Sequence, residues 1–280
     1  MINLIHAGIY RYQKDGLFWF GMGGSLLAGG IFGITSRTAF DDIYLMPELL
    51  ILCAFVTLSI GREYSENTIR NKVVTGHTKG NIFLSSLLLS VGACTLMLLV
   101  FLGIFAVLNI GTLGAFTPEV LGKIFLGFLL LNVAQAVIFA VVSWLIPSRA
   151  VGAVVCMILM VGMMMAYYQV EHSLGQPEYI TIDHIDEDGD PAVQEVIPNS
   201  NYLDGSLRKV CQGIYDVLPY SQANQYLYYM IDFQFSKFQQ MYYETDEIAG
   251  RLNYLPLCSL ALIVTFSAGG FLIFRRKELK

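Results

Sequence analysis

The stretch Ile82–Ile110 reads IFLSSLLLSVGACTLMLLVFLGIFAVLNI, 29 consecutive residues without a charged side chain. Wound as a helix at about 1.5 Å per residue, it is longer than the roughly 30 Å hydrocarbon core of a bilayer. Five further segments pass a similar test: Leu17–Ile34, Tyr44–Ile60, Gly122–Ile146, Ala150–Tyr168 and Leu255–Phe274. No backbone polar group can stay unpaired in hydrocarbon, so these spans are expected as helices. The ten-residue alternation of a β-barrel is missing. Trp19, Tyr44, Trp144, Tyr167, Tyr168 and Tyr254 stand where the two interfaces should fall.

Composition agrees. Of 280 residues, 55% are hydrophobic and 14% charged, against about a quarter charged in a soluble domain. Mean hydropathy is +0.57 and the isoelectric point near 5.3. A net charge of −5 argues against nucleic acid as a partner. The expected fold is an all-α membrane protein with six transmembrane helices, both termini on one side. Residues 1–168 form an N-terminal interfacial helix and spans one to five. Residues 169–254 form an extracellular domain, a cap with a small hairpin and helices. Residues 255–280 supply span six and a tail.

Charge sets the orientation. The N-terminus, second loop, fourth loop and C-terminus together hold 11 of the 17 basic residues and four of the 22 acids. The opposite side holds the other six basic residues and 18 acids. The positive-inside rule therefore places both termini and the 61–80 loop in the cytoplasm. Before the first span, Ile2, Ile5 and Ile9 share a helical face ahead of Arg11 and Lys14, the pattern of a short helix lying in the inner interface.

In the 169–254 segment, Tyr179–Asp183 and Ala192–Ile197 alternate around an Asp-Gly-rich turn and predict a hairpin. A helical pattern follows from Leu203 to Tyr243, broken at Pro219 and rich in aromatics. Its rings are expected to pack on one another and on lipid headgroups. With Gly189 in the sixth place of a calcium loop, Asp186, Asp188 and Glu195 fall in ligand positions, but His184 occupies the first. The run is read as a solvated turn, and no metal site is assigned.

The sequence carries no familiar catalytic motif. Cys53, Cys94, Cys156 and Cys258 lie in spans and Cys211 stands alone outside, so no disulfide can staple the cap. The four histidines lie outside the spans and in no zinc motif. Neither a nucleophile elbow nor a GxxxxGK[ST] phosphate loop occurs. No catalytic residue and no cofactor is assigned, and the chain is not expected to be an enzyme.

Within the spans, Gly21, Ser25, Gly29 and Gly33 recur every four residues and let another helix approach closely. The stripe suits either a contact between protomers or moving helices, or packing inside the chain. Polar span residues are few. Glu48 follows Pro47 near the outer end of the second span, and Asn132 and Gln135 sit a turn apart in the fourth. They are candidate polar groups of a pathway. Position favours hydration for Glu48, and helix-to-helix bonding for the two amides. So few buried charges do not fit an ion-coupled transporter.

The 61–80 loop, Gly61-Arg-Glu-Tyr-Ser-Glu-Asn-Thr-Ile-Arg-Asn-Lys-Val-Val-Thr-Gly-His-Thr-Lys-Gly80, has Ile69, Val73 and Val74 at helical spacing. It predicts a short amphipathic helix ending at Gly76. Here the chain resembles the permease subunits of type-2 ATP-binding-cassette exporters. Their second loop carries an acidic residue, a Gly-Thr-Ile/Leu step, then Gly or Pro followed by a basic residue. Glu63, Thr68, Ile69, Gly76 and Lys79 match, with Asn67 where Gly is common and Lys79 where Arg is common.

The resemblance implies a cytoplasmic ATPase subunit, in two copies, that binds ATP and magnesium and grips this loop. It also implies a second permease protomer, a pathway between the two, and a bacterial plasma membrane. It makes Glu63 and Arg70 docking charges and Ile69 and Val73 apolar anchors. The implied cargo is a hydrophobic or amphipathic peptide, drug or lipid. The competing readings are a membrane accessory or sensor protein that uses the 169–254 cap, and an intramembrane enzyme.

Overall fold

The computed structural model describes residues 1–35, 46–114, 116–185, 191–239 and 245–276. In chain order the elements are α1 (Ile2–Lys14), α2 (Gly16–Thr35), α3 (Met46–Ser65), α4 (Thr68–Val74), α5 (Lys79–Leu108), α6 (Ile110–Leu113), α7 (Pro118–Leu145), α8 (Arg149–Leu174), β1 (Tyr179–Ile185), β2 (Pro191–Pro198), α9 (Gly205–Val217), α10 (Pro219–Gln239) and α11 (Thr245–Arg276). Three of the long helices begin on hydroxyl caps. Thr78 accepts from the Asn81 amide, Thr117 from Val120 ahead of Pro118, and Ser148 from Val151, which satisfies donors that a helix start leaves open.

Five helices are long and apolar enough to cross a membrane: α2, α5, α7, α8 and the 250–276 part of α11. The chain is thus an all-α, multi-pass membrane protein. The predicted second span forms as α3, but it is not among the five. Its 20 residues include Glu48, Arg62 and Glu63. It is also deeply enclosed, packing on α2, α7 and α8, so its side chains meet protein more than lipid.

The small-residue stripe of α2 packs within the chain. Gly21, Ser25, Gly29 and Gly33 are all buried, and α2 lies along α5. A Cβ on Gly29 would stand 2.6 Å from the Phe101 carbonyl oxygen, so only glycine permits this approach. Asn109 Nδ2 donates to the Gly33 carbonyl at 2.9 Å and ties the two helices at the far end.

One end of the bundle collects α1, α4, the C-terminal ends of α3, α7 and α11, and the starts of α5 and α8. Trp144 is enclosed there, its ring 4.7 Å from that of Phe274 in a T-shaped contact. The helix expected before the first span is α1. Its buried face is Leu4, Gly8 and Tyr12, packed on α5, whereas Ile2 and Ile9 of the predicted face point outward. An interfacial helix that also packs on protein needs both faces, and the sequence pattern picked the outer one.

The helices on either side of the segment expected as a cap extend into it. Helix α8 runs on to Leu174 and α11 already starts at Thr245. The hairpin forms as an antiparallel pair with Ile180 opposite Ile197; residues 186–190, including the proposed turn, lie outside the described residues, as does Tyr44. Helix α9 leaves Leu207, Val210, Ile214 and Val217 exposed along one face, the pattern of a helix lying at an interface. Helix α10 does not rest on top of the bundle. Tyr220, Ala223, Tyr226 and Leu227 are buried in it, and the Tyr226 ring lies so close to Gly127 of α7 that a Cβ there would be 2.2 Å away. Tyr167 of α8 meets Tyr220 at 5.1 Å between centroids. The aromatics thus pack on one another as expected, but inside the helices.

Candidate functional site

Two buried carboxylates on α3 organise two different polar places. The first is Glu63, in the last turns of α3. Gly61 lets the start of α8 approach there; a Cβ would stand 2.9 Å from the Arg149 Cα. Glu63 is 3% exposed. Its carboxylate accepts from the Arg11 guanidinium of α1 and from Lys72 Nζ of α4, at 3.0 and 3.1 Å. Beside it, Arg62 donates to Asp15 at 3.0 Å, at the junction of α1 and α2. Tyr64 donates to the Trp144 carbonyl at 2.6 Å. In the layer beneath, Ser59 Oγ donates to the Tyr12 hydroxyl oxygen at 3.0 Å. Burial pushes the Tyr12 hydroxyl up to about 12.

These bonds hold α4 at the surface. Asn67 enters it with φ 53° and Gly76 leaves it with φ 90°; the glycine takes that left-handed turn without the strain a side chain would add. The residues proposed for docking divide into two sets. Glu63 turns into the chain, and Ile69 is 3% exposed against the chain's own core. Neither lies at the surface, because α4 needs both an apolar anchor and a countercharge to stay attached. Arg70 is exposed, Val73 is 36% and Val74 78% exposed, and Thr68 and Lys79 are half-buried. The outward face is therefore Arg70, Val73 and Val74.

The second place is in the middle of the bundle. Glu48 is 3% exposed, which corrects the expectation that it is hydrated near the interface. Its neighbours Ser25 and Asn132 sit near the middle of α2 and α7. Ser25 Oγ of α2 donates to one carboxylate oxygen at 3.2 Å; the other has no hydrogen-bond partner. Asn132 and Gln135 of α7 line the same cavity of about 30 Å³, walled by Leu52, Leu98 and Phe101 and closed by Ala223 of α10. Neither amide atom of Asn132 is bonded, so it does not tie helices as expected. The three polar residues singled out within the spans thus share one enclosure.

Sequence reasoning missed the part α10 plays. Ser221, Gln222 and Asn224 are enclosed, and Ser259 Oγ of α11 donates to Gln222 Oε1 at 2.6 Å. A signal existed: residues 217–231 carry no charge inside an otherwise acidic segment. The run is too short and too polar to register as a span. Among the described residues, no group of three or more His, Cys, Asp or Glu side chains could hold a metal ion. Comparisons with protein-family models, curated proteins and solved structures give no match.

Proposed function

We propose that this chain is the membrane-spanning subunit of an ATP-driven exporter of the type-2 ATP-binding-cassette class, moved by a separate ATPase. The observation that carries the reading is α4: a short helix between two long ones, with Arg70, Val73 and Val74 turned outward and its inner side latched to α1 and α3 through Glu63. An exposed apolar pair beside a charge is suited to a protein groove. The latch gives displacement of α4 a route into the bundle.

On this reading α3 is a sixth membrane-crossing helix, and the end of the bundle that carries α1 and α4 faces the cytoplasm of a bacterial cell. Two copies of the ATPase bind ATP and magnesium and press on α4. A second permease protomer, identical or related, completes the pathway. The latch refines what the resemblance implied: Glu63 transmits movement, and Arg70, Val73 and Val74 make the contact. The cargo class is a hydrophobic or amphipathic peptide, drug or lipid. A chain purified from its native membrane should bring with it a cytoplasmic protein that hydrolyses ATP. Arg70→Glu with Val74→Asp should remove that protein and leave the chain's own melting unchanged. Equal retention by the doubly substituted chain would overturn the assignment of the contact.

A further inference from the structure

We propose that the cavity lined by Glu48, Asn132 and Gln135, with Ser25 bonded to Glu48 beside it, is a binding site at mid-bundle for one small monovalent cation, a proton or a sodium ion. The inference does not rest on the ATPase reading. It starts from a mismatch between a charge and its surroundings. A carboxylate out of contact with water is strongly disfavoured unless something neutralises it. Among the described residues Glu48 enters no ion pair. One of its oxygens has the Ser25 hydroxyl and the other has nothing.

The helices around it bring no charge. Helix α2 brings the Ser25 hydroxyl to Glu48, and the cavity wall takes Asn132 and Gln135 from α7 and Ala223 from α10. From α5 the wall takes Leu98 and Phe101. The donor set is all oxygen, apart from the amide nitrogens. Carboxylate, hydroxyl and amide oxygens are the hard ligands that a sodium ion takes, and the same carboxylate oxygen accepts a proton. Size limits the occupant. About 30 Å³ is room for one water-sized species and excludes organic cargo. Asn132, with its oxygen and its nitrogen both unbonded, can turn either atom toward the occupant. It can accept from a protonated Glu48 or ligate a metal ion.

Helix α10, whose Ala223 lines the site, is held beside it by Gln222 on Ser259 and by Tyr226 against Gly127.

The test uses the whole chain in lipid nanodiscs and dicyclohexylcarbodiimide, an apolar reagent that adds to protonated carboxyl groups. Exposed carboxylates are first blocked with a water-soluble carbodiimide. Intact-protein mass spectrometry, followed by peptide mapping, should show one adduct, on Glu48, that is lost in Glu48→Gln. An adduct indifferent to sodium chloride identifies the proton as occupant. An adduct that sodium chloride suppresses and choline chloride does not identifies sodium. As a measurement independent of reagent access, infrared spectra at neutral pH should show a Glu48-dependent difference: a protonated-carboxyl carbonyl band without sodium, or a carboxylate band that shifts on adding it. No adduct on Glu48 at any pH, together with a Glu48-dependent infrared difference that is a carboxylate band indifferent to sodium, overturns the proposal.

Discussion

Glu48 and Glu63 lie on the same helix and are equally hidden from solvent, each 3% exposed, yet their surroundings are opposites. Glu63 is met by two cations from two other helices. Glu48 is met by one hydroxyl, and its second oxygen makes no hydrogen bond. The difference teaches how to read a buried acid in a membrane protein. Where counter-ions converge, the acid is a fastener, and its worth is structural. Where the walls are apolar and neighbouring polar atoms stay unbonded, the acid costs stability, and some other role must account for it.

The largest effect should come from the fastener. Glu63→Ala leaves Arg11 and Lys72 facing one another. Both remain partly hydrated, so the loss should be about 2 kcal/mol rather than the roughly 3–5 of a wholly buried pair. Thermal unfolding in detergent measures it, and an unchanged midpoint would erase the contrast between the two acids. Next comes the packing that sets Ser25 beside Glu48. Gly29→Ala forces α2 off the Phe101 carbonyl and should cost about 1–3 kcal/mol, the range for overpacking. Gly23→Ala, which meets nothing within 4 Å, should be neutral or slightly stabilising.

Much of this arrangement was legible in the sequence, and the reasons are physical. Length and apolarity marked α2, α3, α5, α7, α8 and α11, because a bilayer imposes both. The alternation of the hairpin strands survived because period two is read locally. The loop pattern marked α4. What could not be read was which face of a helix meets which neighbour. Ile2 and Ile9 pointed to the outer face of α1, since lipid and protein interior select the same residues. Glu48 was placed near water by counting from the end of its span, but its side chain turns in toward Ser25 and the middle of α7. Ile69 and Val73 were equal on a helical wheel, and only packing separates the buried one from the exposed one. Helix α10 was expected as a helix, but its burial among the others was not legible, because a polar, aromatic, uncharged segment has neither the pattern of a span nor that of a soluble surface.

A smaller effect belongs to the layer beneath the fastener. Tyr12→Phe removes the acceptor for Ser59 and should cost about 1 kcal/mol. The folded state raises the Tyr12 hydroxyl from 10.0 to about 12. Its contribution is therefore fully present below pH 10 and is lost as pH rises toward 12. Melting of wild type minus Tyr12→Phe, followed from pH 9 upward, should shrink across that window. A flat difference would show that the hydroxyl is not enclosed. The smallest shift should be that of Glu48→Gln. It keeps shape and removes only the charge, and should change the midpoint by no more than about 0.5 kcal/mol, the range of a benign substitution. A loss as large as that of Glu63→Ala would mean that Glu48 is a fastener too.

The account as a whole turns on α4 touching another protein. A photo-activated cross-linking side chain placed at Val74, and separately at Ile69, tests this in intact cells. The prediction is that Val74 captures a cytoplasmic protein that hydrolyses ATP, while Ile69 captures only neighbouring parts of its own chain. Cross-links from Val74 that reach lipid or this same polypeptide and no ATPase would contradict it.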